Sequence, residues 1–409
     1  MLIIKDKKDC CGCWACYNVC PRHCITMDAD AEGFRYPTVH NTMCTDCGLC
    51  EKVCPVLHAD KEDIPHWQQG YLVQHKDIAI RKDSTSGGAF TAIAQWILNQ
   101  GGVVFGGGYE QGTFTVIHQF VEKEDSLNIF RNSKYVQSEI RDTFKQVLEF
   151  LKKGRWVCFS GTPCQVNGLR GFLRHREFEK LVLVDLVCRG IPSPLVLDKY
   201  IATQQKKIGG KFTRILFRDK HYSYQYSTFS IYNKEPEKNY HKGVDTNAYL
   251  RAFFNNLSDR PSCYDCKVKM RYRHSDLTIW DCFPVERFTK DFDQEGTTRV
   301  LAQSIKGKMI MESIQNYARI AEVPADMLVE GVREMYHSIP MNPKRTQFFN
   351  DLNNMRAADF FQKWFPTTFK VRCNAWVRLF CYKIGIYTFA KRIFMTVYTR
   401  RDDRTVTVR

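Results

Sequence analysis

The sequence predicts a two-part α+β and α/β architecture: an N-terminal bacterial-type ferredoxin domain, then a mixed α/β flavoprotein domain, closed by a helical basic tail. Three observations predict it. Two cysteine runs open the chain with one spacing, apolar strands alternate with helical segments through the middle, and the last seventy residues are dense in aromatic and basic side chains. The expected boundaries are 1–60, 61–320 and 321–409.

Cys10, Cys13, Cys16 and Cys20, followed by Pro21, read C-x2-C-x2-C-x3-C-P, and Cys44, Cys47, Cys50, Cys54 and Pro55 repeat this 34 residues on. That spacing belongs to two-cluster 4Fe-4S ferredoxins, in which the fourth cysteine of each run ligates the other cluster. The predicted sets are therefore Cys10, Cys13, Cys16 and Cys54, and Cys44, Cys47, Cys50 and Cys20. A pair of zinc ribbons is the competing reading, but zinc sites offer paired C-x2-C knuckles without a third close cysteine. Cys11 and Cys24 fall outside the register and read as spare thiols. Between the runs, ITMDADAEGFRYPTV reads as a hairpin that shields the clusters.

Residues 58–68 are polar and read as a linker. YLVQH then reads as a strand, and DSTSGG leads into the periodic helix AFTAIAQWILNQ. Glycines and hydroxyls at a helix start either expose N–H groups to an anion or cap the helix through Ser84, Thr85 or Ser86. GVVFGGGY and TFTVIHQFV read as strands and SEIRDTFKQVLEFLKKG as a helix. Two βα units follow. RWVCFS is a strand with GTPCQ as its exit loop, and LVLVDLV is a strand with CRGIPSP as its exit loop. Uninterrupted apolar strands of this kind suit a parallel sheet covered on both faces, whose ligands collect at the strands' carboxyl ends.

Cys164 and Cys188 lie in those exit loops, and Cys263-x2-Cys266 follows in a polar segment. Four soft ligands make a third 4Fe-4S cluster the leading expectation. A zinc knuckle on Cys263 and Cys266, or Cys164 as a nucleophile, are the alternatives. Cys158, inside an apolar strand, reads as a small buried hydrophobe.

The order of the ferredoxin repeat, STSGGAFTA, SKYVQS, SGTPCQVNGLR, CRGIPSP, RPSCYDC, SDLTIWD and EGTTRVL resembles the beta-subunit family of coenzyme F420 hydrogenases and dehydrogenases, over residues 1–315. The resemblance implies FAD beside an iron–sulfur cluster, with two further clusters in members that carry a ferredoxin domain. It places Ser84, Ser86, Gly87 and Gly88, Ser133, Lys134, Tyr135 and Gln137, and Gly161, Thr162, Pro163 and Gln165 in the flavin and cluster neighbourhood. Asn132 stands where the family often has Gly before Ser-Lys-Tyr, and Trp280 stands where it often has Gly after Ile.

The expected function is an oxidoreductase that moves electrons between a hydride carrier, F420-like or a substitute, and 4Fe-4S clusters through FAD. A non-catalytic electron-delivery subunit and a reductase of a sugar or polysaccharide precursor are the alternatives. The expected partners are a small-molecule hydride carrier or substrate and a redox partner protein.

The net charge of +16 is concentrated at the end: residues 341–409 hold 14 Lys and Arg against 4 Asp. The tail reads either as a helical cap docked on the core or as an interfacial helix on anionic lipid, with Ile386, Phe389, Ile393 and Val397 as its stripe and Lys391 and Arg392 off it. No base-reading motif accompanies the charge, which argues against nucleic acid. With no apolar run of about 18 residues and no secretory leader in the opening residues, a cytoplasmic protein is expected, peripheral at the inner membrane surface if the tail is interfacial.

Overall fold

A computed structural model describes residues 4–387 and 389–390. The expected hairpin is present: β1 (Ile25–Ala29) pairs antiparallel with β2 (Arg35–Val39). The two cysteine runs repeat in backbone conformation as well as in sequence. Trp14 and Gly48 each adopt the left-handed region immediately before a short helix, Ala15–Val19 and Leu49–Lys52. A bulky residue rarely takes that conformation; here Trp14 is buried in the core between the ferredoxin segment and the body.

The body is built on eight strands: β3 (Gln69–His75), β4 (Val103–Tyr109), β5 (Val116–Val121), β6 (Val157–Gly161), β7 (Leu181–Leu186), β11 (Leu277–Asp281), β12 (Thr298–Ala302) and β13 (Ala318–Val323). Between β7 and β11 the chain forms a separate antiparallel sheet of β8 (Phe212–Asp219), β9 (Thr228–Asn233) and β10 (Tyr240–Gly243). The large sheet runs β13-β3-β12-β11-β7-β6-β4-β5. Its centre, β4 through β6 and β7 to β11, is parallel, and its flanks are antiparallel. The sheet is thus mixed, and β13 carries it across residue 320. The small sheet left no trace in the sequence reading.

Both faces of the central strands are covered, which is why their sequences lack alternation. Val157, Phe159, Leu181 and Leu183 face the helices Thr143–Lys152 and Pro163–Phe172 and the ferredoxin segment. Cys158, Val182 and Val184 face the helices Ala89–Asn99 and Ile305–Ser313. Cys158 is accordingly buried, as expected for a small hydrophobe.

Two boundaries differ from expectation. The helix expected from Ser138 begins at Thr143, because Glu139 is drawn into a bridge with Ile117 of β5. GTPCQ is not an exit loop: Thr162 caps a helix that starts at Pro163, its N–H donating to Gln165 Oε1 at 3.0 Å. A proline at the first helical position loses nothing, since its N–H would have no helical partner.

The tail divides. Helices Arg345–Asn354 and Ala357–Trp364 bury Phe348, Phe349, Leu352, Phe360 and Phe361 against β8, β9 and the helices Pro194–Ile208 and Ala248–Phe254. That part is a docked cap. The helix Phe369–Lys383 buries no side chain. Lys391, Arg392, Ile393 and Val397 of the expected stripe lie outside the described residues.

Candidate functional site

Four cavities line up. Cys10, Cys13, Cys16 and Cys54 line one, with Ile4, Trp14, Met27 and Pro37 around them. Cys20, Cys44, Cys47 and Cys50 line a second, with Ile25 and Val39. The fourth cysteine of each run therefore faces the other run's triplet, and both strands of the hairpin wall both cavities. Cys24 also lines the second, its Sγ 3.3 Å from that of Cys20.

Cys164, Cys188, Cys263 and Cys266 line a third cavity, with Cys11, Pro163, Lys269 and Arg273. Cys164 comes from the first turn after β6 and Cys188 from the loop after β7. Cys263 and Cys266 come from a short turn that follows Arg260. Burial pushes the Cys188 thiol up to about 12 and raises Cys263 and Cys266, while Cys11 beside it raises Cys164. Four thiols so disfavoured as free thiolates suit a bound cation that would hold them deprotonated. Lys269 holds the loop, donating to the carbonyls of Cys188, Arg189 and Glu334.

The fourth cavity has a volume of about 450 Å³, within the range of small-molecule and cofactor sites. It opens at the carboxyl ends of the parallel strands, where Gly106, Gly107, Ser160, Gly161, Leu186 and Ile279 contribute. Ser84, Ser86, Gly88, Ser133, Lys134, Tyr135, Gln137, Gly161, Thr162 and Gln165 all line it. Gly87 and Pro163 do not. Gly87 packs against β3 and β12, where an added Cβ would lie 2.1 Å from the Val73 carbonyl, and Pro163 faces the third cysteine cavity.

Hydrogen bonds join the three segments into one wall. Ser133 N–H donates to Thr85 Oγ at 2.6 Å, and Gln165 Nε2 donates to Ser138 Oγ at 2.9 Å. None of the three hydroxyls proposed as a cap performs that task. Ser84 donates to the Ile80 carbonyl, Thr85 to Ser133, and Ser86 bonds Thr298, while Gly88, left-handed at φ +83°, begins the helix. The helix start at Ala89, Phe90 and Thr91 thus meets the cavity without a side-chain cap, an arrangement that suits an anion. Asn132 also has φ +64°, and its amide donates to the Arg218 carbonyl. Asparagine tolerates that conformation, so it serves where the related sequences often use glycine.

Several lining groups escaped the sequence reading. His118 on β5 stacks on Phe159 and binds the Ser160 carbonyl through Nε2, leaving Nδ1 buried without a partner. Burial pushes its pKa down to about 4. Arg131 Nε, Arg189 Nε and Trp280 Nε1 are likewise buried without a partner in residues that line the cavity. Burial, with Arg214 nearby, pushes the Lys134 ammonium down to about 7; it donates to the carbonyls of Ile129 and Arg131. A lone histidine in a strand and single arginines carry no pattern that would have singled them out.

One residue joins the ferredoxin segment to this site. Arg260 is 1% exposed. Its Nε donates to the Cys10 carbonyl at 2.8 Å, Nη1 to Gln137 Oε1 at 2.8 Å, and Nη2 approaches Cys10 Sγ at 3.5 Å and the Arg35 carbonyl at 3.0 Å. The third cavity shares Cys11, Cys164, Cys188 and Arg189 with the large cavity, and Cys11 and Val56 with the Cys10 cavity. Cys11 is thus no stray thiol in position, since it borders all three.

Cysteine-lined cavities in series beside a cofactor-sized cavity define an iron–sulfur electron-transfer protein of the oxidoreductase class. Residues 9–57 match the 4Fe-4S dicluster domain, and residues 154–327 match the carboxy-terminal domain of the coenzyme F420 hydrogenase/dehydrogenase beta subunit. The chain belongs to the coenzyme F420 hydrogenase/dehydrogenase beta-subunit family, with a 4Fe-4S dicluster domain at its N-terminus. It is 27% identical over 171 residues to a coenzyme F420-dependent sulfite reductase of Methanocaldococcus jannaschii, a match covering 41% of this chain and 26% of that protein. The chain therefore spans about a quarter of that relative's length. It is 35% identical over 85 residues to a ferredoxin of Mycolicibacterium smegmatis, covering 20% of this chain and 69% of the ferredoxin. A chain of the F420-reducing NiFe hydrogenase complex of Methanosarcina barkeri superposes with a TM-score of 0.43 at 15% identity, over 72% of this chain and 89% of that one.

Proposed function

We propose that this protein is an iron–sulfur flavoprotein that exchanges electrons between a small hydride carrier and a redox partner protein. The observation that carries the reading is contiguity: the large cavity shares Cys164 and Cys188 with the third cysteine cavity, which in turn meets the Cys10 cavity at Cys11. FAD would supply the exchange between two-electron hydride chemistry and the single electrons that iron–sulfur clusters carry.

The residues fit such a group. The uncapped helix start at Gly88–Thr91 would take its phosphates, and the orphaned donors of Arg131, Arg189 and Trp280 offer further polar contacts. His118, neutral at ordinary pH, presents an acceptor at Nδ1. Cys10, Cys13, Cys16 and Cys54 would hold one 4Fe-4S cluster, Cys44, Cys47, Cys50 and Cys20 a second, and Cys164, Cys188, Cys263 and Cys266 a third. Cys47 is exposed, so the second set is the natural edge for a protein partner. The named activities of the relatives make an F420-like deazaflavin the first carrier to try.

Anaerobic purification followed by denaturation tests the reading. The expected result is released FAD and about twelve irons per chain. Released iron without any flavin would leave an electron-delivery subunit, and an iron count near eight would return the third cysteine set to a zinc or structural role.

A further inference from the structure

The helix Phe369–Lys383 contrasts with the two helices before it. It meets the body along one side only. Tyr382 donates its hydroxyl to the Tyr222 carbonyl at 2.6 Å, its ring lies edge-on to Tyr222 and Tyr226, and Arg378 pairs with Asp245.

On the opposite side Phe369, Trp376 and Phe380 fall on one helix face, since their spacings of seven and four residues complete nearly whole turns. Phe369 is 83% exposed and Trp376 66%, and Trp376 and Phe380 stack on each other at 5.4 Å in solvent. Ile384, Ile386 and Phe389 extend the exposure beyond the helix. Seven of the nineteen exposed large apolar side chains among the described residues fall between 369 and 389. Scattered exposed hydrophobes are ordinary, whereas a continuous patch marks a docking surface.

Charge identifies the occupant. Residues 369–390 contain Lys370, Arg372, Arg378 and Lys383 and no Asp or Glu. Only Arg378 has a carboxylate partner there; Lys370, Arg372 and Lys383 are exposed beside the aromatic strip. Aromatic rings on one face with unopposed cations at its margins suit the headgroup boundary of an anionic bilayer. No helix among the described residues is long and apolar enough to cross a membrane, so the contact would lie along the surface.

We propose that this face docks on an anionic lipid surface. Phe369, Trp376 and Phe380 enter the headgroup boundary, and Lys370, Arg372 and Lys383 meet the lipid phosphates. The inference rests on the patch alone and stands independently of the redox chemistry.

Cosedimentation of the full-length protein with phosphatidylcholine vesicles, with and without phosphatidylglycerol, tests it. Binding is expected only with the anionic lipid. Phe369→Ser, Trp376→Ser and Phe380→Ser combined should weaken it roughly tenfold or more, with thermal midpoint and iron content unchanged because none of the three is buried. Lys370→Glu with Arg372→Glu, which keeps the aromatic strip, should also release the protein. Failure of the parent to bind, or equal binding by both variants, overturns the proposal. So does a dimer of the parent that the serine variant dissolves without any vesicle binding, which would assign the face to a second copy.

Discussion

The ferredoxin segment and the third cysteine site solve the same problem in opposite ways. In the first, eight cysteines sit within 45 residues and local turns bring three of each four together. In the second, four cysteines spread over residues 164–266 meet only because β6 and β7 are parallel neighbours and the turn after Arg260 packs across their ends. A local site depends on its spacing, and a distributed one depends on the fold around it. The two should therefore fail differently.

The largest effect is expected at the distributed site. Cys164→Ser should remove about four irons per chain and cut the link between the large cavity and the ferredoxin clusters, leaving ferredoxin-type EPR signals in place. Loss of all iron would show instead that the two regions assemble as one unit. Cys20→Ala sharpens the crossing. It should damage the cluster beside Cys44, Cys47 and Cys50 and spare the one beside Cys10, Cys13 and Cys16; the reverse EPR pattern would overturn that assignment.

Next come stability effects at the seam. Gly168 and Gly171 let the helix Pro163–Phe172 lie against the ferredoxin segment; a Cβ would stand 2.8 Å from Cys13 Cβ at the first and 2.4 Å from the Val53 carbonyl at the second. Gly171→Val should destabilise by ~1–3 kcal/mol in a denaturant titration. A pH series probes the large cavity. The folded protein keeps His118 neutral down to about pH 4, whereas the unfolded chain takes up a proton near 6.5. Between those values the unfolded state binds more protons, so stability should rise with pH by up to about 3 kcal/mol. His118→Phe should flatten that part of the curve. The mildest change is at Arg260. Arg260→Met removes a buried cation and an N–H from the Cys10 sulfur, and the cluster there should become harder to reduce, read as a more negative midpoint in an EPR redox titration.

The sequence spoke most clearly where one short segment carries the chemistry. The cysteine spacings are local, and so are the apolar runs of β6 and β7. The third set could be assembled on paper because both exit-loop cysteines follow strands that had to be neighbours. Arg260 could not, since its partners Cys10 and Gln137 lie 250 and 123 residues away. Gly168 and Gly171 looked like ordinary helix residues, and the small β8–β10 sheet has no distinctive periodicity. The two halves of the tail have the same aromatic, basic composition. Only packing separates Phe348 and Phe360, fully buried, from Phe369 and Trp376, which face solvent.

The hairpin tip has a consequence for motion. Glu32 accepts a bidentate pair from Arg345 at 2.8 and 2.6 Å, its carbonyl accepts from Ser193, and Phe34 is sealed in the body's core. With Arg260 clamped on Cys10 from the other side, the ferredoxin segment has no hinge about which to swing. It works as a fixed terminal, not a tethered shuttle. Internal electron hops then keep a constant length, and the search for an external partner falls to diffusion at the rim around Cys47.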